Sequence, residues 1–275
     1  MVAVRVNASY DDNADKYFWL REPMDGSDID LFRRRVAAVY APLPPTAFMM
    51  LDPAVAGEPS GPEAVRTAIP DLPSDIAGIP VHDALSALAD VLSEAPAPPP
   101  ERRREVENAL REQAPESIEI AAAWVADALG LVFPAGTTLE VDVCVVAGGV
   151  PLGGLTGQRI DGRPVCFAAV RGQQGSTFAE VLVHEVTHAV DFSCTSATSL
   201  VAELRNEPGN LSQLWHAPYF VASAEAIRRF VASDHRDYGD THGYYAKVPG
   251  EMRTLAERGI VDRIRSWQPD PAGGP

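Results

Sequence analysis

The sequence predicts a protein of the α+β class, with a small sheet among many helices. Three observations support this prediction. Apolar residues recur at helical spacing in several segments of the 275-residue chain. Two valine-rich segments, residues 137–149 and 163–172, have the composition and patterning of strands. More than half of the 24 prolines lie in residues 1–100, where they interrupt regular structure repeatedly.

Residues 1–100 are therefore predicted to form a proline-rich, partly helical accessory region. Within it, apolar residues at helical spacing predict helices at about 28–40 and 81–94. No motif in this region indicates a chemical function. It could serve as a loosely packed accessory domain, as a cover for a site elsewhere in the chain, or as a docking region for a partner.

The segment "APAPPP", residues 95–100, is predicted to be a stiff linker. A second domain is predicted to follow it over residues 101–268, with a polar tail at 269–275. This domain begins with two predicted helices, "ERRREVENALREQ" and "PESIEIAAAWVADALG". The second of them has a proline near its start and a glycine at its end, as helices often do.

The remaining elements of the second domain follow in the order strand, strand, helix. A glycine-rich segment, "GGVPLGGLTGQRIDG", is predicted to be the turn between the two strands. Thr177 and Glu180 have the spacing of a capping box, which predicts a helix that begins near residue 177. Further helices are predicted at about 217–233 and 249–266.

Charge and cysteine content limit the classes of function. The formal net charge of −15 disfavours nucleic acid as a partner, because an acidic surface repels phosphate backbones. No segment has the roughly 18 consecutive apolar residues needed to cross a bilayer, and no secretory signal pattern is present. Three cysteines are an odd number, which does not indicate a disulfide framework. These features predict a cytoplasmic protein that binds neither nucleic acid nor membrane.

The segment "VLVHEVTHAVDFSC", residues 181–194, indicates a metal site. On a helix, residues four apart lie on one face, so His184 and His188 can direct ring nitrogens at one metal ion. Glu185 is rotated by about 100° from His184, which places its carboxylate beside the metal without bonding to it. The carboxylate can there accept a proton from a water that the metal activates. His-Glu-x-x-His serves zinc hydrolases in this way.

The rest of this helix divides into an apolar and a polar face. The residues opposite His184 are apolar: Leu182, Val183, Val186, Ala189 and Val190. His188, Asp191 and Thr195 lie on the same side as His184, so this side is predicted to line a cleft. Asp191 is predicted to orient a ligand histidine through its second ring nitrogen. The alternative is a core helix whose two histidines match a short motif by chance.

Through "HEVTH", residues 101–235 resemble the zincin metallopeptidases. The resemblance implies a zincin-like domain, in which the helix with this motif packs against a small sheet whose edge strand binds the peptide substrate. The segment "RPVCFAAV" stands where that edge strand is expected. The resemblance also implies that Zn²⁺ is held by His184 and His188, with Glu185 as the general base.

Groups within the zincins differ in the third metal ligand. In SprT-like members it is a histidine at the head of a later helix, and His216 in "WHAPYFVASAEAIRRF" resembles it, with alanine in place of that pattern's glycine. In gluzincins it is a glutamate of a downstream helix, which makes Glu225 the alternative. The metzincin pattern would place a ligand at Cys194, but the glycine of that pattern is absent. Glu203 and Glu207 are further candidates.

The resemblance predicts a zinc-dependent metallopeptidase that acts on a polypeptide substrate. The metal would activate a water and polarise the scissile carbonyl, while Glu185 accepts the proton. A second donor would stabilise the oxyanion, and the candidates are Tyr219, Tyr244, Tyr245, His235 and His242. Two alternatives are a zincin-fold binding or regulatory module without peptidase activity, and a metal-dependent amidohydrolase acting on a small molecule. An intact Glu185 disfavours the first of them.

Overall fold

The computed structural model describes residues 2–57, 61–76, 78–194, 199–206 and 214–268. Contacts between residues divide the chain into two compact units. The first unit comprises the described parts of residues 1–7, 112–141 and 174–275, and the second those of 8–111 and 142–173. The predicted division at residue 100 coincides with no boundary of these units, and the assignment of an accessory region and a catalytic domain stays a prediction. The predicted tail, 269–275, lies outside the described residues.

The described residues contain six strands: β1 (Ala3–Tyr10), β2 (Asp75–Ile76), β3 (Ile79–Pro80), β4 (Thr138–Val146), β5 (Gly154–Gln158) and β6 (Pro164–Ala169). Four of them form a mixed sheet in the order β1-β4-β6-β5, and β2 pairs with β3 in a short hairpin. In the sheet, β6 is parallel to β4 and antiparallel to β5. A small mixed sheet among many helices is the α+β class that the sequence predicts.

The helices within the described residues are α1 (Asp12–Trp19), α2 (Asp30–Tyr40), α3 (Phe48–Ala56), α4 (Pro62–Ala68), α5 (Val81–Glu94), α6 (Pro100–Arg111), α7 (Pro115–Ala128), α8 (Ser176–Phe192), α9 (Leu200–Arg205), α10 (Ala217–Phe230), α11 (Tyr238–Thr241), α12 (Tyr244–Lys247), α13 (Pro249–Glu257) and α14 (Ile260–Ser266). The predicted helices correspond to α2, α5, α6, α7, α8 and α10. The helix predicted at 249–266 is instead two helices, because Gly259 between α13 and α14 has φ of +66°. Among the described residues, no helix is long and apolar enough to cross a membrane.

The second unit has a continuous apolar core to which α1, α3, α5 and the sheet contribute. Phe18 of α1 packs edge-on against Phe167 of β6, with ring centroids 5.1 Å apart. Leu51 of α3 and Leu88 of α5 are fully buried in the same core. Helices from the first hundred residues therefore supply much of this core, which excludes the loosely packed arrangement considered from the sequence. Its prolines interrupt the helices without preventing them from packing.

The glycine-rich segment predicted as a turn contains β5. At Gly157 a Cβ atom would lie 2.3 Å from Cγ of Pro53 in α3, so only a residue without a side chain lets α3 pack against this strand. Because β5 takes the edge position, β6 lies one strand further in, between β4 and β5. The prediction that "RPVCFAAV" forms the edge strand is therefore wrong.

In the first unit, α7, α8 and α10 pack against one another, and α14 packs on α10. The five apolar residues of α8 that the sequence predicts to face a core are all buried. Trp124 of α7 and Tyr219 and Ile227 of α10 are equally inaccessible. The burial of α8 extends to part of its polar face, because His184, Glu185 and Asp191 expose no more than 9% of their surface. Among the described residues of that face, His188 is more exposed than His184, Glu185 and Asp191.

The predicted capping box at the start of α8 is wrong, although the helix begins at the expected position. Gly175 is the N-cap residue, and no side chain donates or accepts a capping hydrogen bond there. The Glu180 carboxylate is turned instead toward α11, where it accepts a hydrogen bond of 2.7 Å from the backbone N–H of Tyr238. It also pairs with Nε2 of His235 at 2.6 Å. The Glu180 carboxylate, which a capping box would use, therefore binds residues distant in sequence instead.

Replacing Thr177 by alanine is therefore expected to change the free energy of unfolding by less than about 0.5 kcal/mol, the usual range for a surface position without a cap. Ser199→Ala is the matched comparison, because the Ser199 hydroxyl accepts a hydrogen bond from Ala202 N and caps α9. Loss of that cap is expected to cost about 1 kcal/mol. Urea unfolding of both variants measures the difference. A larger loss for Thr177→Ala would restore the capping box.

Candidate metal centre

Three imidazole rings of the first unit meet at their Nε2 atoms. The Nε2 atom of His188 lies 3.0 Å from that of His184. The Nε2 atom of His216 lies 3.1 Å from each of the other two. The three nitrogens thus form a nearly equilateral triangle. The structure brings together the three histidines that the sequence predicts as ligands. Among the described residues, they form the group of His, Cys, Asp or Glu side chains that could jointly hold a metal ion.

Hydrogen bonding among the three rings cannot account for this triangle. An imidazole nitrogen is either a donor or an acceptor, according to the tautomer. Among three mutually close nitrogens, at least two therefore have the same role and repel each other. The arrangement is fully favourable when all three Nε2 atoms are unprotonated acceptors and one cation lies between them. The geometry thus indicates a cation site more strongly than a packed histidine cluster.

Burial keeps these rings neutral, as metal ligands must be. It lowers the pKa of His184 and of His188 well below the usual 6.5, and the neighbouring imidazoles lower both further. It lowers the pKa of His216 to about 4. Near neutral pH, each ring is therefore unprotonated at one of its two nitrogens. Protons do not compete for the nitrogens that would bind a metal.

The donor set fits zinc. Nitrogens 3.0–3.1 Å apart lie about 1.8 Å from their common centre, a spacing that would be compatible with Zn–N bonds of about 2.0–2.1 Å. Neutral imidazole is a ligand type that zinc prefers, and three protein ligands are typical of catalytic rather than structural zinc sites. One feature departs from an ideal site. Nδ1 of His184 is buried and has no hydrogen-bond partner among the described residues.

One helix and the start of a second helix position these three rings. His184 and His188 are one turn apart on α8, and His216 is the N-cap residue of α10, with Pro218 in the first turn. The His216 side chain makes no capping hydrogen bond. Its ring is therefore used for the triangle and not for the helix end. This outcome removes the simplest structural explanation for a histidine at that position.

Aromatic rings surround the cluster on several sides. The Phe220 ring lies 4.2 Å from the His184 ring, and the Tyr219 ring lies 4.1 Å from the His188 ring, both centroid to centroid. Such walls restrict the rotation of the imidazoles and exclude water from behind them. They thereby maintain the low pKa values and hold the nitrogens in one geometry.

Glu185, the predicted general base, lies on α8 directly after the first ligand and is 6% exposed. Burial raises the pKa of the Tyr238 phenol, and the charges of Glu180 and Glu185 raise it further. Glu185 is thus a buried carboxylate on the helix that carries His184 and His188.

The other predicted ligands are not part of the triangle. The Glu225 carboxylate accepts hydrogen bonds from Nε of Arg229 at 2.8 Å and from Nε of Arg228 at 3.3 Å. Glu203 pairs with Arg258. The Cys194 thiol contacts the backbone oxygen of Val132 at 3.4 Å. Glu207 and Thr195 lie outside the described residues.

Asp191 does not orient a ligand histidine in the way that the sequence predicts. Its Oδ2 atom accepts a hydrogen bond of 2.6 Å from Arg205, the last residue of α9. The Arg205 guanidinium in turn covers the ring of Trp215, 4.7 Å from its centroid. Sequence reasoning missed Arg205 and Trp215. Only the position of Trp215 directly before His216 could have suggested a role.

Three of the five predicted oxyanion donors are engaged by other residues. The Tyr245 hydroxyl donates to the Asp237 carboxylate, whose two oxygens lie at 2.9 and 3.0 Å. The His242 ring stacks on Tyr238 with centroids 4.0 Å apart. His235, the third, forms the buried pair with Glu180 already described and contacts Ser176 through Nδ1.

The remaining two candidates, Tyr219 and Tyr244, contact the histidine rings. Tyr219 is fully buried, and burial together with the charge of Asp191 raises its pKa. Tyr244 keeps part of its surface exposed, and its hydroxyl oxygen lies 3.4 Å from Nδ1 of His216. Tyr244 is therefore the better placed of the two to meet a substrate.

Comparison of the chain with known protein families, with curated proteins and with solved structures finds no match. The assignment of a function therefore depends on the motif and on the geometry of the site.

Proposed function

We propose that this chain is a zinc-dependent metallopeptidase, with Zn²⁺ held by His184, His188 and His216. The observation that carries the proposal is the triangle of three neutral Nε2 atoms at 3.0–3.1 Å, with an acidic residue directly after the first ligand. The zincin resemblance of "HEVTH" supports peptide bonds as the substrate class. The cytoplasm remains the proposed location.

When bound, zinc supplies a Lewis acid and lowers the pKa of a coordinated water from its bulk value toward neutrality. The side chains of the protein provide the remaining functions. Glu185 accepts the proton of the attacking water and later returns it to the leaving amine. Its buried position keeps the carboxylate fixed and the surrounding dielectric low, so proton transfer needs little reorganisation.

Tyr244 is the proposed donor to the developing oxyanion. With Nε2 of His216 reserved as an acceptor, Nδ1 carries the ring proton and donates to the Tyr244 hydroxyl oxygen. The phenol O–H then remains free to donate to a substrate oxygen. Burial, and to a lesser extent the charge of Glu251, raises the pKa of Tyr244, so the phenol keeps its proton near neutral pH.

Metal content of the purified protein tests the ligand set. Wild type and Glu225→Gln are expected to bind one zinc ion per chain, because Glu225 pairs with arginines outside the triangle. Substitution of any one triangle histidine by alanine is expected to weaken zinc binding by at least about 100-fold, through loss of one of three ligands. Competition with a chromophoric chelator measures both quantities. Unchanged affinity in His216→Ala, or loss of zinc in Glu225→Gln, contradicts this ligand set.

The same preparation tests the substrate class. A denatured protein mixture and a set of small amides are offered to the zinc-loaded protein, with and without chelator. If the protein mixture is cleaved, and if chelator abolishes this cleavage and added zinc restores it, the result supports a metallopeptidase. Turnover of small amides alone indicates a metal-dependent amidohydrolase. Zinc binding without any turnover indicates a binding module.

A further inference from the structure

Arg205 connects three segments of the first unit near the metal centre. It is the last residue of α9, and its guanidinium donates to the Asp191 carboxylate on α8 at 2.6 Å. The same guanidinium covers the Trp215 ring at 4.7 Å. Trp215 directly precedes His216, the one ligand that does not come from α8.

Trp215 also contacts the ligand rings. Its ring centroid lies 5.2 Å from that of His216 and 6.1 Å from that of His188. The indole therefore contacts both a guanidinium and two imidazoles. Its position fixes the chain at the point where His216 begins α10. A guanidinium suits this place because its planar face stacks on the indole while its N–H groups remain available to a carboxylate.

We propose that Arg205 is a positioning residue for the third metal ligand. Its pairing with Asp191 anchors it to α8, and its contact with Trp215 holds His216 against the other two histidines. This inference rests on the proposed function, because it concerns the same metal site. The geometry of the triangle would then depend on the contact between Arg205 and Trp215 as well as on the packing of α8 against α10.

The positive charge of Arg205 and its positioning role predict opposite changes in zinc affinity when Arg205 is replaced. This difference makes the inference testable. A positive charge this close disfavours another cation, and Arg205 contributes to the lowered pKa of His188. Removing it would also leave the Asp191 carboxylate, on the same helix as His184 and His188, without this ion pair. By electrostatics alone, zinc would bind more tightly after Arg205 is neutralised. By positioning, it binds more weakly.

The experiment measures the zinc dissociation constant of the full-length chain by competition with a chromophoric chelator. Arg205→Gln is expected to weaken zinc binding by about 10- to 100-fold, the usual effect of residues that support metal ligands. Glu203→Gln is the matched control, since it breaks an ion pair of the same helix with Arg258. The control is expected to change the dissociation constant by less than about twofold.

A second pair of variants separates positioning from general destabilisation. In a His216→Ala background, Arg205→Gln is expected to change zinc affinity by less than about twofold, because the ligand through which it acts is gone. A merely structural role would weaken binding equally in both backgrounds. Trp215→Leu approaches the same contact from its other side and is expected to resemble Arg205→Gln. It provides the test if the arginine variants fail to fold.

The outcomes are distinguishable from those that test the function itself. Arg205→Gln that binds zinc as tightly as wild type, or more tightly, overturns the inference and leaves the metal site intact. An equal loss in the presence and absence of His216 also overturns it. A wild-type chain that binds no zinc overturns both proposals together.

Discussion

Replacement of Glu185 by glutamine is expected to lower kcat for peptide hydrolysis by about 10²- to 10⁴-fold, the range that a positioned general base contributes. Glutamine has the shape of glutamate but cannot accept the proton of the attacking water. The zinc dissociation constant is expected to change little, because the carboxylate is not among the three donors of the triangle. Steady-state kinetics and metal content, measured on one preparation, check both expectations.

Glu225→Gln is the matched control for this experiment. It makes the same chemical change on α10, where the carboxylate pairs with Arg228 and Arg229. Its kcat is expected to remain within about twofold of wild type. KM is expected to change little in Glu185→Gln, because a base that acts in the transition state contributes little to ground-state binding. Peptide cleavage that survives Glu185→Gln at near full rate would show that another group accepts the proton.

The sequence predicted the parts of the site that depend on local spacing. His184 and His188 lie on one face of α8 because four residues make about one helical turn. His216 was expected from the resemblance to SprT-like zincins, which have a ligand histidine at the head of a later helix, and it is the N-cap residue of α10. A helix is specified by its own residues, so motifs within it can be read directly.

The parts that were missed depend on contacts between distant residues. Glu180 was assigned to a capping box from its spacing to Thr177, but His235, which lies 55 residues further along, binds its carboxylate. Asp191 was expected to bind a histidine, and Arg205 takes it instead. Competition between several polar partners is decided by the packing of helices. Local spacing does not contain that information.

The sheet shows the same limit. β4 and β6 were predicted because valine-rich strands have a local signature. β5 was not predicted, because its glycine-rich sequence is typical of a turn. The reason for a glycine at position 157 is the close approach of Pro53 in α3, which the sequence does not reveal. β1 and the helices α1, α3 and α4 were also not predicted, for a related reason. Their segments are short, polar or interrupted by proline. For the three helices, burial in the core of the second unit supplies the stability.

The metal-free protein is expected to lose stability as pH falls below 6.5. In the unfolded chain a histidine titrates near 6.5, whereas in the folded chain burial holds the pKa of His184, His188 and His216 lower. Below pH 6.5 the unfolded state therefore binds protons that the folded state does not, and the free energy of unfolding decreases. Each such group contributes about 1.4 kcal/mol per pH unit, so three contribute up to about 4. For His216 the loss ends near its folded pKa of about 4.

Urea unfolding of the chelator-treated protein between pH 4.5 and 6.5 measures this dependence, and His216→Gln isolates one histidine from the carboxylates that titrate in the same range. The variant is expected to lose about 1.4 kcal/mol less than wild type per pH unit, since it takes up one proton fewer on unfolding. Equal slopes for both proteins would mean that the folded metal-free chain already carries a proton on His216. The three nitrogens would then not all be acceptors, and the triangle would lose its strongest claim to a cation. Unequal slopes would show that the folded protein keeps its histidine rings neutral, with converging lone pairs that a bound cation would stabilise.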